Sequence, residues 1–268
     1  MTQALYSATE LHHIINSDII LVAVLSQEDY DAGHIPNSRH ILPSELTCNE
    51  KPAPGLLPPT ASLQVSLERL GIENNKTIIA YDNAGGSVAG RFIWTLALFG
   101  FEQTALLNGG LKAWYAANLN LTTDVEEYTP SELSLTLNTQ YIASKDDVLA
   151  ALDDIANGHA RIWDARGEDE YAGTKILAER GGHIPGATSF NWVRLQGENT
   201  ILKPLNEIEN ALVGAGIDGS KPIITHCQTH RRSGLTWFVA HKLLGWPITA
   251  YAGSWSEWGN DASLPIES

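Results

Sequence analysis

Short apolar runs alternate with amphipathic stretches along most of the chain. Runs typical of buried strands occupy Ile19 to Leu25, Thr77 to Tyr81 and Ile223 to Thr225. Amphipathic helices, each followed by a glycine able to cap a helix, are predicted over Leu63 to Leu70, Arg91 to Phe99 and Gly234 to Leu244. This alternation predicts an α/β fold, with parallel strands covered by helices on both faces.

The hydrophobic pattern and several motifs occur twice. Gly33-His34-Ile35-Pro36 returns as Gly182-His183-Ile184-Pro185, and Gln27 to Tyr30 returns as Glu168 to Tyr171. Such a long unit, present twice, indicates a duplicated domain rather than a solenoid. We predict a first domain over 1–124, a linker over 125–139 and a second domain over 140–268. The alternation of Leu133, Leu135 and Leu137 predicts that part of the linker lies as a strand against a domain.

Composition and charge narrow the possible partners. The 268 residues are 43% apolar and carry a formal net charge of −14, which argues against nucleic acid and anionic membranes as partners. No signal peptide and no membrane-spanning apolar run is recognisable, so a cytoplasmic protein is expected. The two cysteines, Cys48 and Cys227, form no disulfide framework or clustered zinc motif, and no metal site is predicted.

Cys227 lies where a predicted strand passes into a predicted helix. Backbone N–H groups at such a helix start can converge on an anion. His230, Arg231 and Arg232 add positive charge within the same loop. These surroundings favour a reactive thiolate. The alternative is a small buried cysteine that packs as a hydrophobic residue.

The two copies differ at their polar positions. Aligning the repeats places Asp82 opposite Cys227, Ala23 opposite Asp164 and Leu25 opposite Arg166. The first copy therefore lacks the thiol and both polar groups. We expect it to be catalytically inactive and to serve in packing.

Four segments of the second copy are distinctive in their order and spacing. They are Trp163-Asp164-Ala165-Arg166 with Glu170 to Gly173, Gly182 to Ala187, Cys227 to Ser233, and Tyr251 to Trp258. Together they resemble the tandem-domain rhodaneses, which are thiosulfate and 3-mercaptopyruvate sulfurtransferases, and the residues of the Cys227 loop are similar to a bacterial branch. The resemblance covers nearly the whole chain. It implies two rhodanese-type domains, of which the second is active. It also implies that Cys227 accepts a sulfane sulfur as a persulfide and passes it to cyanide or a thiol, without metal or organic cofactor.

The resemblance also suggests roles for the neighbouring residues. The loop formed by Gln228, Thr229, His230, Arg231 and Arg232 is expected to cradle the sulfur and bind substrate. Asp164 is the expected carboxylate partner of Arg232, and Arg166 is expected to be structural or to lie at the rim. His230 and Arg231 are expected to face the pocket mouth, where an anionic donor arrives.

The sequence departs from the vertebrate thiosulfate pattern, because Glu170 and Thr229 stand where that pattern has basic residues. The loop of the mercaptopyruvate branch is absent as well. A 3-mercaptopyruvate sulfurtransferase and a persulfide carrier for a partner protein therefore remain alternatives. A cysteine phosphatase is disfavoured by its longer Cys-x5-Arg loop. We expect a monomer acting on a small-molecule donor and a small-molecule or protein acceptor.

Overall fold

The structure, a computed structural model, describes residues 3–268 and divides into two compact units. The first comprises residues 3–47, Leu57–Asn138 and Gly197–Leu202. The second comprises Cys48–Leu56, Thr139–Gln196 and Lys203–Ser268. Two short segments therefore belong to a different unit from their neighbours in the sequence. Gly197–Leu202 is part of the first unit, and Cys48–Leu56 is part of the second.

The first unit is built on a five-stranded parallel sheet in the order β1-β5-β4-β2-β3. Its strands are β1 (Leu5–Tyr6), β2 (Ile19–Val24), β3 (Ser38–Ile41), β4 (Thr77–Tyr81) and β5 (Thr104–Leu107). The flanking helices are α1 (Ala8–Ile14), α2 (Gln27–Ala32), α3 (Thr60–Arg69), α4 (Ser87–Ala97) and α5 (Gly110–Ala116). Leu21, Ala23, Ile79 and Tyr81 of the two central strands are buried in its core.

The second unit repeats this topology, with the strand order β6-β10-β9-β7-β8. Its strands are β6 (Ile142–Ala143), β7 (Arg161–Asp164), β8 (Ala187–Ser189), β9 (Ile223–His226) and β10 (Ile248–Tyr251). Its helices are α6 (Lys145–Ala150), α7 (Leu152–Ala156), α8 (Glu168–Tyr171), α9 (Leu205–Gly214), α10 (Arg232–Phe238) and α11 (Ser254–Trp258). The predicted α/β fold class and the duplication are confirmed.

Short-range chemistry explains where several helices start. Ser7 and Ser144 follow the first strand of their sheets, and each side chain accepts a hydrogen bond from the backbone N–H three residues later. The carboxylates of Glu10 and Asp147 in turn accept a hydrogen bond from the backbone N–H of the capping serine, which completes a capping box at each site. The same device therefore recurs at equivalent points of the two copies.

Two predicted helices have different bounds in the structure. Helix α4 begins at Ser87 instead of Arg91, because the Asp82 carboxylate accepts hydrogen bonds from two backbone N–H groups in its first turn. The helix predicted over Gly234 to Leu244 begins as α10 at Arg232 and continues as a π-helical turn, Val239–Leu243.

The predicted linker strand is wrong, since residues 124–138 form no strand in the structure. The segment is instead held by single hydrogen bonds. The backbone N–H groups of Ser131 and Leu133 donate to the carbonyl and the carboxylate of Glu68. Among residues 3–268, no helix combines the length and apolar character needed to cross a membrane.

Candidate active site

Cys227 directly follows β9, the central strand of the second sheet, and its side chain is only 1% exposed. All strands of this sheet are parallel, so the loops after β7, β9 and β10 meet at one edge. Ligands of open α/β sheets bind at this carboxyl edge. The position predicted for Cys227, between a strand and a helix, is therefore where the fold can build a site.

The loop that begins at Cys227 is fixed by the segment after β10. Trp255 and Ser256 donate backbone hydrogen bonds to the carbonyls of Cys227 and Gln228, at 2.9 and 3.0 Å. The Cys227 N–H lies 3.4 Å from the hydroxyl oxygen of Ser254. These bonds fix the start of the loop, and the backbone N–H groups of Thr229 and Ser233 are directed to the Cys227 sulfur.

The Cys227 sulfur lies among hydrogen-bond donors and positive charge. Burial raises the pKa of the thiol, but the charge of Arg232, the Ser233 hydroxyl and the backbone N–H groups of Ser233 and Thr229 outweigh it. The net effect lowers the Cys227 pKa below its ordinary value. The arrangement thus favours a thiolate, which is the nucleophilic form of cysteine.

The carboxylate partner of Arg232 is Glu170, so the expected pairing with Asp164 is wrong. The two terminal nitrogens of Arg232 bond to the two carboxylate oxygens of Glu170 at 2.5 and 2.8 Å. Burial alone would raise the Glu170 pKa, but the hydrogen bonds and charge of Arg232 lower it overall. Glu170, which stands where the vertebrate pattern has a basic residue, therefore holds Arg232 in place at the end of the loop.

Asp164 pairs instead with Arg166, two residues along the chain. The Arg166 Nε lies 2.9 Å from Asp164 Oδ1, and a terminal nitrogen lies 2.6 Å from Oδ2. The guanidinium also donates to the Gly182 carbonyl at 2.8 Å and stacks over the Trp255 ring. Arg166 is 1% exposed, which excludes the rim position and leaves the structural alternative.

A buried histidine that the sequence did not single out completes this cluster. His226 Nε2 lies 3.7 Å from Asp164 Oδ2, and the ring is fully buried. Burial, which outweighs the nearby Asp164 charge, lowers the His226 pKa. The position of His226 at the end of the strand that carries Cys227 was the only sequence signal for it.

His230 does not face the pocket mouth, and that expectation is wrong. Its ring is fully buried, and Nδ1 lies 2.7 Å from the Ser233 hydroxyl oxygen. The backbone at His230 has φ 51°, a left-handed conformation that turns the side chain inward. Arg231, in contrast, is exposed, and its role towards an anionic donor stays a prediction.

A pocket of about 580 Å³ lies beside the loop and is lined by Gln228 and Thr229. Ser256 and Asn260 contribute polar groups, and Leu177 contributes apolar surface. The Gln228 amide nitrogen donates to the Leu177 carbonyl at 2.9 Å, which holds this side of the pocket.

Another part of the pocket wall is formed by Lys51, Pro52 and Pro54, from the segment Cys48–Leu56 that packs with the second unit. A Cβ atom added at Gly55 would lie 2.6 Å from the Thr229 carbonyl oxygen, so the segment touches the Cys227 loop closely. The sequence reasoning missed this wall, because it assigned the proline-rich stretch to the first domain.

The equivalent loop of the first unit is occupied by its own carboxylate. Asp82, fully buried, accepts hydrogen bonds from the backbone N–H groups of Ala84, Gly86, Val88 and Ala89 at 2.7 to 2.9 Å. A carboxyl side chain thus occupies the position in the loop of the first unit that the thiol occupies in the second. Within residues 3–268, no group of three or more His, Cys, Asp or Glu side chains is arranged to hold a metal ion.

Comparisons with known proteins agree with this architecture. The model of the rhodanese-like domain matches twice, over residues 7–117 and 145–261. A thiosulfate sulfurtransferase of Azotobacter vinelandii is 42% identical over 93% of this chain and 91% of its own length. A 3-mercaptopyruvate sulfurtransferase of Escherichia coli is 31% identical over 90% of this chain and 85% of its own. A solved structure of the anaerobic ergothioneine biosynthesis enzyme from Chlorobium limicola shares the fold, with a TM-score of 0.86 at 24% identity, over 98% of this chain and 70% of that one.

Proposed function

Because the chain belongs to the rhodanese family, we propose that it is a sulfurtransferase that moves a sulfane sulfur from thiosulfate to cyanide or a thiol through Cys227. The observation that carries the proposal is the environment of the Cys227 sulfur, where Arg232 and backbone donors outweigh the cost of burial. The second unit is then the catalytic one. The first, with Asp82 in place of the thiol, is catalytically silent.

The proposed reaction has two displacement steps. The Cys227 thiolate attacks the outer sulfur of thiosulfate, the sulfur–sulfur bond of the donor breaks, and sulfite leaves with the electron pair. Cys227 then carries one extra sulfur as a persulfide anion. Attack by the acceptor on that outer sulfur releases the Cys227 thiolate, so the covalent intermediate divides one transfer into two.

Substrate contacts are assigned to the open side of the loop. Arg231 is exposed and Thr229 lines the pocket together with Gln228. Lys51 adds a cation to the lining of the same pocket. Arg232 holds the loop through its hydrogen bonds to Glu170. Asp164 and Arg166 form a buried ion pair at the end of β7 and are assigned a structural role. His230 is buried and is not assigned to substrate binding.

The geometry argues against phosphoryl transfer. Arginine recognises phosphate best through two parallel N–H bonds from its planar fork. In this site both terminal nitrogens of Arg232 bond to Glu170. The fork is therefore already paired with a carboxylate.

A second donor is favoured by the similarity to a 3-mercaptopyruvate sulfurtransferase. Both donors would leave the same persulfide on Cys227. With 3-mercaptopyruvate, however, the bond that breaks is carbon–sulfur, pyruvate is the leaving group, and the hydrogen of the donor thiol ends on its methyl carbon. A partner protein could likewise be the acceptor, in which case the chain would act as a persulfide carrier.

Intact-mass measurement after incubation with each donor tests these proposals. We expect a gain of one sulfur atom with thiosulfate, retained in Cys48→Ala and absent in Cys227→Ala. Subsequent addition of cyanide should remove the sulfur, and repeated turnover would indicate an enzyme, whereas a single stoichiometric transfer would indicate a carrier. The assignment would be overturned if the Cys227→Ala variant gained a sulfur atom and the Cys48→Ala variant did not.

A further inference from the structure

The loop that begins at Cys227 contains a second buried contact that the transfer chemistry described above does not use. His230 and Ser233 are both fully buried, and His230 Nδ1 lies 2.7 Å from Ser233 Oγ. Ser233 in turn provides its hydroxyl and its backbone N–H as hydrogen-bond donors to the Cys227 sulfur. The three side chains therefore form a chain from imidazole to hydroxyl to sulfur.

The direction of this chain follows from the number of available protons. A serine hydroxyl has one hydrogen to donate, whereas its oxygen can accept. If the Ser233 hydrogen points to the sulfur, the short contact with His230 requires a hydrogen on Nδ1. If Nδ1 carries none, the Ser233 hydrogen turns to the imidazole and the sulfur loses a donor.

The backbone of the loop is shaped to make this contact. His230 has φ 51°, a left-handed conformation that non-glycine residues adopt at a cost and that histidine, asparagine and aspartate tolerate best. The conformation turns the ring away from solvent and towards Ser233 at the start of α10. A histidine whose role was to meet an anionic donor would gain nothing from this burial.

We propose that His230 is a positioning residue for sulfur transfer, which donates its Nδ1 hydrogen to Ser233 and thereby commits the Ser233 hydroxyl to the Cys227 sulfur. The inference rests on the proposed function of Cys227. It assigns His230 a task inside the loop rather than at the substrate.

The task matters most when charge lies on the Cys227 sulfur itself. In the persulfide the negative charge resides on the outer sulfur. When the acceptor takes that sulfur, the bond to Cys227 breaks and its electron pair returns to the cysteine as a thiolate. A hydroxyl that donates to the Cys227 sulfur stabilises this leaving thiolate. Two properties should therefore depend on His230: the pKa of the resting Cys227 thiol and the rate at which the persulfide gives up its outer sulfur.

A set of variants separates this role from simple packing. His230→Asn tolerates the left-handed backbone and can present an amide N–H near the position of Nδ1, whereas His230→Gly tolerates the backbone but offers no donor. We expect His230→Gly to raise the alkylation midpoint of Cys227 by about one pH unit and slow persulfide discharge roughly tenfold, the effect of one hydrogen bond to a charged group. His230→Asn should retain most of both properties.

The double variant provides the decisive comparison. In a Ser233→Ala background, His230→Gly should cause no further shift in the alkylation midpoint, because the hydroxyl through which it acts is gone. Equal shifts in the presence and absence of Ser233 would overturn the proposal, as would an unchanged midpoint in His230→Gly.

Nitrogen-15 NMR of the unmodified protein tests the proton position without a substitution. The His230 ring signal, assigned by its loss in His230→Asn, should show a hydrogen on Nδ1. A ring protonated at Nε2 alone would overturn the proposal. Neither the alkylation nor the NMR result depends on a sulfur donor, so loss of transfer in Cys227→Ala together with a bare Nδ1 would refute this inference and leave the proposed function intact.

Discussion

The Arg232 guanidinium and the Glu170 carboxylate form two hydrogen bonds, of 2.5 and 2.8 Å, between the start of α10 and the end of α8. The Glu170 side chain is nearly buried, and that of Arg232 is 23% exposed. Arg232 also carries the charge that most strongly favours the Cys227 thiolate. The Glu170 carboxylate therefore positions the Arg232 charge that stabilises the Cys227 thiolate.

Glu170→Gln should lower transfer from thiosulfate and from 3-mercaptopyruvate alike, by about tenfold, because the loss of one charged hydrogen-bond partner loosens Arg232. Glu170→Lys should be more damaging, since it places two cations together. Glu168→Gln, at an exposed position of the same helix, is the matched control and should retain activity. Steady-state kinetics with both donors would measure these effects, and better thiosulfate turnover in Glu170→Lys would contradict them.

The Glu170–Arg232 pair should also make stability depend on pH. The folded pKa of Glu170 is lowered, so its contribution is complete above the ordinary glutamate pKa of about 4.3 and is lost as the pH falls through the lower folded value. Thermal unfolding between neutral and acidic pH should therefore show a smaller loss of stability in Glu170→Gln than in the unmodified protein. Parallel curves for the two proteins would count against this linkage.

Alkylation of Cys227 should reach its half-maximal rate below the free-thiol pKa of about 8.5, because Arg232 and the loop donors stabilise the thiolate. Mass spectrometry of the peptides after iodoacetamide treatment at several pH values would follow each cysteine separately. Cys48, the only other thiol of the chain, provides an internal reference. A midpoint for Cys227 at or above the free value would remove the argument for a preformed thiolate.

Donor choice should depend on the exposed cations beside the loop. Thiosulfate is a dianion, so Arg231→Ala and Lys51→Ala should each raise its Michaelis constant severalfold, and added salt should weaken binding to the unmodified protein more than to either variant. A monoanionic or neutral persulfide donor should be less affected. Lys203→Ala, another exposed lysine of the second unit, serves as control. Equal losses for all donors that are insensitive to salt would refute the anion-binding role.

Asp82 should be a stability residue rather than a dormant catalytic one. Asp82→Ala leaves four backbone N–H groups, three of them buried, without their carboxyl partner and should reduce the free energy of unfolding by roughly 3 kcal/mol, measured by denaturant titration. Asp82→Cys in a Cys227→Ala background should acquire no persulfide, because Ala23 and Leu25 replace the polar pair of the second unit. A mass gain of one sulfur in that variant would contradict the silent role of the first unit.

The duplicated α/β fold and the position of Cys227 could be predicted because both depend on patterns that are local in sequence. The partner of Arg232 could not, since Asp164 and Glu170 both lie near the same sheet edge and the choice depends on side-chain reach. Arg166, only two residues from Asp164, was close enough to take that carboxylate.

The burial of His230 escaped prediction for a different reason. Its orientation depends on one left-handed φ angle in an irregular loop, and the hydrophobic pattern that predicts strands and helices does not report such an angle. The pocket wall at Lys51 was missed because it involves a contact between residues far apart in the chain. Local patterns thus determined the scaffold, whereas tertiary contacts determined which groups meet at the sulfur.

The segment Cys48–Leu56 stands in the first sequence repeat but packs with the second unit, where it carries Lys51 to the pocket beside the nucleophile. The two copies are therefore no longer interchangeable modules. A gene fragment that began at the linker would encode Cys227 and its loop but would lack the residues Lys51, Pro52 and Pro54 of the pocket beside that loop. Substitutions in either half of the chain can consequently alter this pocket, although only one half contains the proposed nucleophile.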